Sequence, residues 1–248
     1  MTLVGIHQPN YLPWIGTFIK IARCDRFIVL DDAQYTKGGF INRNRIKTPQ
    51  GPAWLSIPVC LKGRFGLPVN RVPVAYGDRW VAVHRKTLQA NYARAPYFDV
   101  VMKDVLDPIL RSDGTHWSDL AALNTALIER ICAFLEIRTP RVNASRYGLD
   151  SRSTERLVDL VRAEGGTAYL SGRGGDRYQD ARRFEKAGIE LVYNDFDHPR
   201  YVQMWGDFVP RLSIIDLLFC CGPAAADVLR SAAGAMPASS APLVALEV

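Results

Sequence analysis

The chain has no uninterrupted apolar run of the roughly 18 residues that a membrane-spanning helix needs, and this excludes a helical membrane protein. Its N-terminus has no basic segment followed by a signal-type apolar core, so the expected location is cytoplasmic. Its five cysteines are odd in number. Cys24, Cys60, Cys132, Cys220 and Cys221 show no CxxC spacing, which argues against a disulfide framework and a zinc site. They read as reduced residues without a redox role, and no metal site is expected. There is no Walker A sequence, no GxGxxG and no internal repeat. No serine or cysteine sits in a recognisable nucleophile arrangement, which favours direct group transfer over a covalent intermediate. Histidine is scarce enough, at four residues, that each can be weighed singly.

What is present is ordinary for a globular chain. Of 248 residues, 48% are hydrophobic, 23% charged and 10% aromatic, enough for a continuous core and too apolar for disorder over most of the length. A formal charge of +6 favours anionic partners such as a nucleotide or nucleotide-sugar, with RNA a less favoured candidate.

Leu3-Val4-Gly5-Ile6 reads as a first strand buried on both sides. Trp14, Ile15, Phe18, Ile19 and Ala22 recur at helical spacing up to Cys24, and Phe27-Ile28-Val29-Leu30 is a second strand stopped by Asp31-Asp32. Strand, loop, helix and strand within about thirty residues predict a βαβ crossover and a parallel sheet. Residues 46–57 predict a hairpin turning at Pro49-Gln50-Gly51-Pro52. Helices are expected over Trp80–Tyr92, Phe98–Leu110 and Leu120–Phe134, the last capped by Ser118. In the second half, strands are expected near Val142, at Ala168–Leu170 and at Ile189–Tyr193. Helices are expected from Leu157, capped by Ser153 or Thr154, around Ala181–Phe184, and from Leu212 to Phe219 with a helical pattern on to Leu229. The fold class is α/β: a Rossmann-like parallel sheet, of the nucleotidyltransferase-like (HUP) kind, with an added helical portion. Residues 1–230 are expected to form one domain, with an inserted hairpin at about 42–60 and a helical segment at about 80–135. Residues 231–248 are Ala/Ser/Pro-rich and read as a flexible tail.

Two loops at the carboxyl ends of predicted strands are the candidates for chemistry, because ligands of open α/β sheets bind at that edge. The first, His7-Gln8-Pro9-Asn10-Tyr11-Leu12-Pro13-Trp14-Ile15-Gly16, holds a histidine, two amides and a phenol on a turn stiffened by two prolines. The second, Ser171-Gly172-Arg173-Gly174-Gly175-Asp176 with Tyr178 behind it, offers backbone N–H groups and an arginine to an anion. His7 is the candidate general base, with Asn10, His84 and His198 as further catalytic candidates. Asp31, Asp32 and Gln34 follow the second strand, where carboxylates suit binding a ribose hydroxyl, holding a metal or orienting a histidine. Asn42, Arg43, Asn44, Arg45 and Lys47 form a strip of donors for a diphosphate or sugar. Gln8, Tyr11, Tyr201 and Gln203 complete the candidate binding residues. His116 reads as structural. Asp216, inside an apolar helix, needs a partner if buried, and an arginine is expected.

The first loop resembles, in outline, the strand–loop–helix that opens nucleotidyltransferases and pantothenate-synthetase-like ligases, which bind ATP with paired histidines; here Asn10 stands at the spacing of the second histidine. A closer resemblance runs from residue 3 to about 230. His7–Gly16, Asp31-Asp32-Ala33-Gln34, Asn42-Arg43-Asn44, Trp54–Val59, His84–Leu88, Tyr92–Phe98, Thr154–Leu157, Tyr169–Gly172, Pro199–Gln203 and Leu212–Leu218 together are similar to the WbqC-like family. Ala33 and Cys220-Cys221 depart mildly from its pattern. The resemblance implies a place in surface-polysaccharide or natural-product biosynthesis, with acyl or aminoacyl transfer to an amine as the suggested reaction. Two other readings stand beside it: an adenylate-forming ligase using ATP, and an RNA- or aminoacyl-tRNA-binding protein. ATP or an activated acyl or aminoacyl donor is the candidate cofactor.

Overall fold

The computed structural model describes residues 1–63, 66–75, 77, 79–111, 117–177 and 179–234. Tyr178, His116 and residues 235–248 of the expected tail lie outside these. Five strands, β1 (Leu3–His7), β2 (Arg26–Val29), β5 (Arg141–Asn143), β6 (Ala168–Ser171) and β7 (Glu190–Tyr193), form one sheet in the order β5-β2-β1-β6-β7. Every pairing in it is parallel. The chain therefore builds outward from β1 to one edge, then returns to add β6 on its other side. The order reverses between β1 and β6, and at such a switch point the loops beyond the strand ends diverge and leave a crevice.

Side chains alternate across the sheet as a two-residue period requires. Val4, Ile6, Ile28 and Tyr169 enter one core with Val158, Val161 and Phe184, from α5 (Ser153–Ala163) and α6 (Ala181–Lys186). Phe27, Val29 and Leu170 enter the other with Phe18 and Ile19 of α1 (Ile15–Arg23). That second core continues through α2 (Arg79–Tyr92), α3 (Phe98–Val101), α4 (Leu120–Phe134), α7 (Ile214–Cys221) and α8 (Ala225–Ala233). The hairpin of β3 (Arg43–Thr48) and β4 (Gly51–Ser56) buries Ile46 and Leu55 against it. Among the described residues, no helix is long and apolar enough to cross a membrane.

Three local expectations are corrected. The helix expected over Phe98–Leu110 is α-helical only to Val101. Its next turn, Met102–Leu106, is wider, with the Asp107 N–H donating to the Met102 carbonyl at 2.7 Å. Met102, Val105 and Leu106 of this turn face the core. Asp119, not Ser118, caps α4 by accepting the Ala122 N–H at 2.8 Å. No side chain caps α5: its first residue, Ser153, has φ 52°, and the Thr154 hydroxyl accepts from the Asp180 N–H instead. Of the expected tail, residues up to Ala233 belong to α8.

Candidate functional site

A cavity of about 720 Å³ opens over the switch point, lined from β1, α1, β6 and the segments that follow β6 and β7. His7 ends β1, and the alternation that sends Val4 and Ile6 to the α5 core turns its side chain to the α1 face. Gly172, Arg173, Gly174 and Gly175 form the opposite wall. A Cβ added at Gly172 or Gly174 meets nothing described within 4 Å, so the backbone here is open to close approach. Gly16 is different. A Cβ there would lie 2.4 Å from the Trp14 ring, so glycine is what lets the indole fold back along the crevice wall.

The floor carries the chemistry. The Lys20 side chain is 3% exposed, and its ammonium donates to the Ile6 carbonyl at 2.6 Å. No carboxylate pairs with it among the described residues, and burial lowers its pKa to about 8. His7 Nδ1 lies 2.8 Å from the Gln8 carbonyl. A carbonyl only accepts, so Nδ1 carries the proton and the Nε2 lone pair, without a described hydrogen bond, is left for a ligand. Burial, then the Lys20 charge, lower the His7 pKa to about 4, so the ring is neutral near pH 7. The Thr17 hydroxyl, one turn before Lys20 on the same wall, is buried without a hydrogen-bond partner. No side chain caps the N-terminus of α1, whose first N–H groups carry partial positive charge. A neutral acceptor, a buried cation, a free hydroxyl and a helix N-terminus thus meet in one crevice.

Its outer rim is more committed. Arg173 holds the Asp195 carboxylate with both arms of its guanidinium and stacks 4.2 Å above the Tyr193 ring. The Arg173 hydrogen bonds hold the Asp195 pKa down. His198 lines the crevice, but its Nδ1 faces the Pro199 carbonyl at 3.0 Å and its Nε2 accepts the Arg211 N–H at 3.1 Å. It is neutral, fully bonded and stacked on Trp14, which suits positioning better than proton transfer.

Several residues expected to meet a ligand hold the first loop instead. Tyr11 is fully buried and donates to His84 Nδ1 at 2.9 Å, while His84 Nε2 donates to the Ser56 carbonyl at 3.0 Å. Both polar groups are spent, and burial raises the tyrosine pKa and lowers that of His84 to about 4. Asn44 donates to the Leu12 carbonyl at 2.7 Å, where Ser213 donates too. Asn124 donates to both the Pro9 and Ile41 carbonyls. These bonds clamp a loop that contains Leu12 at φ 41°, a left-handed conformation that packing has to enforce. Asn10 is half-buried and is not among the residues lining the crevice.

The donor strip does not reach the crevice either. Asn42 bonds the Ile57 carbonyl and accepts from Tyr35. Arg43 bonds the Gly38 and Gly39 carbonyls and stacks on Trp54. Arg45 sits on the same face, near Trp54. The Lys47 side chain is 2% exposed and donates to Gln203 Oε1 at 3.0 Å and to the Asp207 carbonyl. Gln203 in turn donates to Tyr201, and Tyr201 and Tyr92 both donate to Asp216. Lys47, Tyr201 and Gln203 therefore belong to a closed buried network. Tyrosines take the place of the arginine expected for Asp216, whose pKa burial raises. Asp31 is buried too, accepting from the Ser145 N–H and hydroxyl. Asp32 is ion-paired with Arg156 and lines a different cavity together with Gln8 and Gln34.

Lys20, Thr17, Asn194 and Arg211 line the crevice without having been singled out from the sequence. The one signal was Lys20 itself, a cation inside the apolar run Phe18-Ile19-Lys20-Ile21-Ala22.

Comparison with known proteins agrees with the resemblance read from the motifs. The model of the WbqC-like protein family matches residues 8–228. The chain is 42% identical over 231 residues to the uncharacterized protein Rv1507c of Mycobacterium tuberculosis, covering 93% of this chain and 98% of that one. No solved structure matches. The match begins just after His7 and spans the rest of both strand-end loops together with the crevice walls from α1, β6 and the segments after β6 and β7, and the chain belongs to the WbqC-like protein family.

Proposed function

We propose that this protein is an enzyme that joins an acyl or aminoacyl group to an amine carried by a phosphorylated metabolite such as an amino sugar nucleotide. The observation that carries this reading is the carboxylate-free Lys20 ammonium buried beside the neutral His7 ring at the sheet's switch point. A buried cation without a counter-ion is costly, and a ligand anion would offset that cost. Lys20, the Thr17 hydroxyl and the N-terminus of α1 would hold the phosphate. His7 Nε2 would take the proton from the amine as the new C–N bond forms and the donor's leaving group departs. The N–H groups of the Gly172–Gly174 stretch would face the carbonyl oxygen as it gains charge, that of Gly175 being held by the Gly172 carbonyl. The anion-holding role first read into Arg43, Arg45, Lys47 and Arg173 passes to Lys20, with Arg211 at the rim.

The test is coupling of an amino sugar nucleotide to acyl and aminoacyl donors, followed by mass spectrometry. His7→Ala is expected to lower turnover at least ~100-fold, the scale of a lost general base; near-normal turnover would retire that role. Exchange of labelled pyrophosphate into ATP, dependent on a carboxylic acid, would instead identify an adenylate-forming ligase.

A further inference from the structure

On the other face of the same sheet edge lies a second cavity, of about 960 Å³, walled by the segment after β1, the segment after β2 and the start of α5. Tyr169 and Gly175 line both cavities, so the two meet over the ends of β1 and β6. Their chemistry differs. The crevice holds an unpaired buried cation, whereas the charges of the second cavity balance, with Asp32 and Asp150 against Arg152 and Arg156. Arg156 donates to Asp32 and to the Leu149 and Ser151 carbonyls. Arg152 and Asp150, of opposite charge, have no described side-chain hydrogen bond, and the rest of what is unspent is neutral or acceptor-rich. The side-chain amides of Gln8 and Gln34 have no hydrogen bond within the described chain, and Asp32 Oδ1 and the Ser151 hydroxyl have no partner.

We propose that this cavity is a carbohydrate site, taking the neutral polyhydroxyl ring of a sugar or ribose. Vicinal hydroxyls both donate and accept. They match amides that offer both functions and a carboxylate whose second oxygen is unpaired. The position fits as well: an acidic residue after the second strand is where α/β sheets of this topology bind ribose hydroxyls. A free phosphate suits it poorly, because Asp32 and Asp150 would repel it, Arg156 is already paired with Asp32, and Arg152 alone is left to attract it. The site exists independently of the reaction proposed above. Only its role, holding the sugar of a ligand whose phosphate lies on Lys20, rests on that reading.

The experiment pairs probes with variants from each chamber. Saturation-transfer NMR with ribose and a panel of methyl hexosides reports the sugar site; calorimetry with pyrophosphate reports the crevice; UDP-glucose against UDP joins them. In the Gln8→Ala/Gln34→Ala double variant the sugar signal is expected to vanish. UDP-glucose affinity should fall at least ~10-fold in it, while pyrophosphate affinity stays unchanged. Lys20→Met is expected to do the reverse, losing pyrophosphate and keeping the sugar signal. Neither glutamine side chain holds the fold together, so thermal melts of the double variant should match wild type. If no sugar produces a signal, or if the double variant binds sugars and UDP-glucose as wild type does, the carbohydrate site is wrong whatever pyrophosphate does. If pyrophosphate fails to bind while the sugar signal behaves as expected, the phosphate crevice is wrong and the sugar site stands.

Discussion

Lys20 is the residue whose physics most constrains this protein. Its pKa, lowered to about 8 from 10.5, means that the folded chain holds that proton less tightly than the unfolded chain does. Stability from this group is therefore largest above 10.5 and is lost as pH falls through about 8. At pH 7 the full cost is present, about 3 kcal/mol at 1.36 kcal/mol per unit, partly repaid by the bond to the Ile6 carbonyl. Lys20→Met is accordingly expected to stabilise the protein by about 1–2 kcal/mol at pH 7, with the gain shrinking toward pH 10, in paired urea melts. The same variant should lose anion affinity. A destabilised variant would mean that Lys20 serves the fold and not a ligand. Residues of this kind escape sequence reading because helical spacing reports only that position 20 faces inward. It carries no information about the absence of a carboxylate from the opposing walls.

At the scale of elements, the segment between β1 and α1 is held by side chains from β3, α2, α4 and the start of α7, through Asn44, His84, Asn124 and Ser213. Asn124→Ala removes two hydrogen bonds and leaves the Pro9 and Ile41 carbonyls buried without that donor, an expected loss of about 2–3 kcal/mol. Because those carbonyls set the course of the loop after His7, pyrophosphate affinity should weaken in the same variant. Lost stability with wild-type affinity would show that His7 and Lys20 hold their places unaided. The strands, α1, α2 and α4 were legible because their apolar periods are local. The roles of Asn44, Lys47, Tyr201 and Gln203 were not, since polar residues in loops look alike whether they face a ligand or one another. Lys47 and Gln203 are 156 positions apart and satisfy each other. Once bonded, Gln203 has no donor or acceptor to spare for a substrate, and two of the three Lys47 ammonium protons are taken up inside the network.

For the whole molecule, acid should be the weak side. His7 and His84 both have pKa values near 4 in the fold against 6.5 in an open chain. Their contribution to stability is complete above 6.5 and drains away as pH falls toward 4, by up to about 3 kcal/mol each. The raised pKa of Asp216 acts in the opposite sense, favouring the folded state as that carboxylate protonates, and offsets part of the loss. Urea midpoints measured across this window should fall, and His84→Gln should flatten the fall; an unchanged slope would place the acid sensitivity elsewhere. A bound anion should raise the melting temperature in wild type and not in Lys20→Met, since saturation at a hundredfold excess over Kd is worth about 2.7 kcal/mol.

The amino-acid order was enough to determine the alternation of strands and helices, the parallel sheet and the family, because each follows from spacing along the chain. Tertiary structure alone decided which polar groups remain available. Hydrogen bonds saturate, and whether an amide or ammonium is already satisfied depends on neighbours brought in from distant elements. Placing β6 against β1 set His7, Lys20 and the glycine turn around one crevice, and the same packing withdrew Tyr11, Lys47 and His84 into the interior.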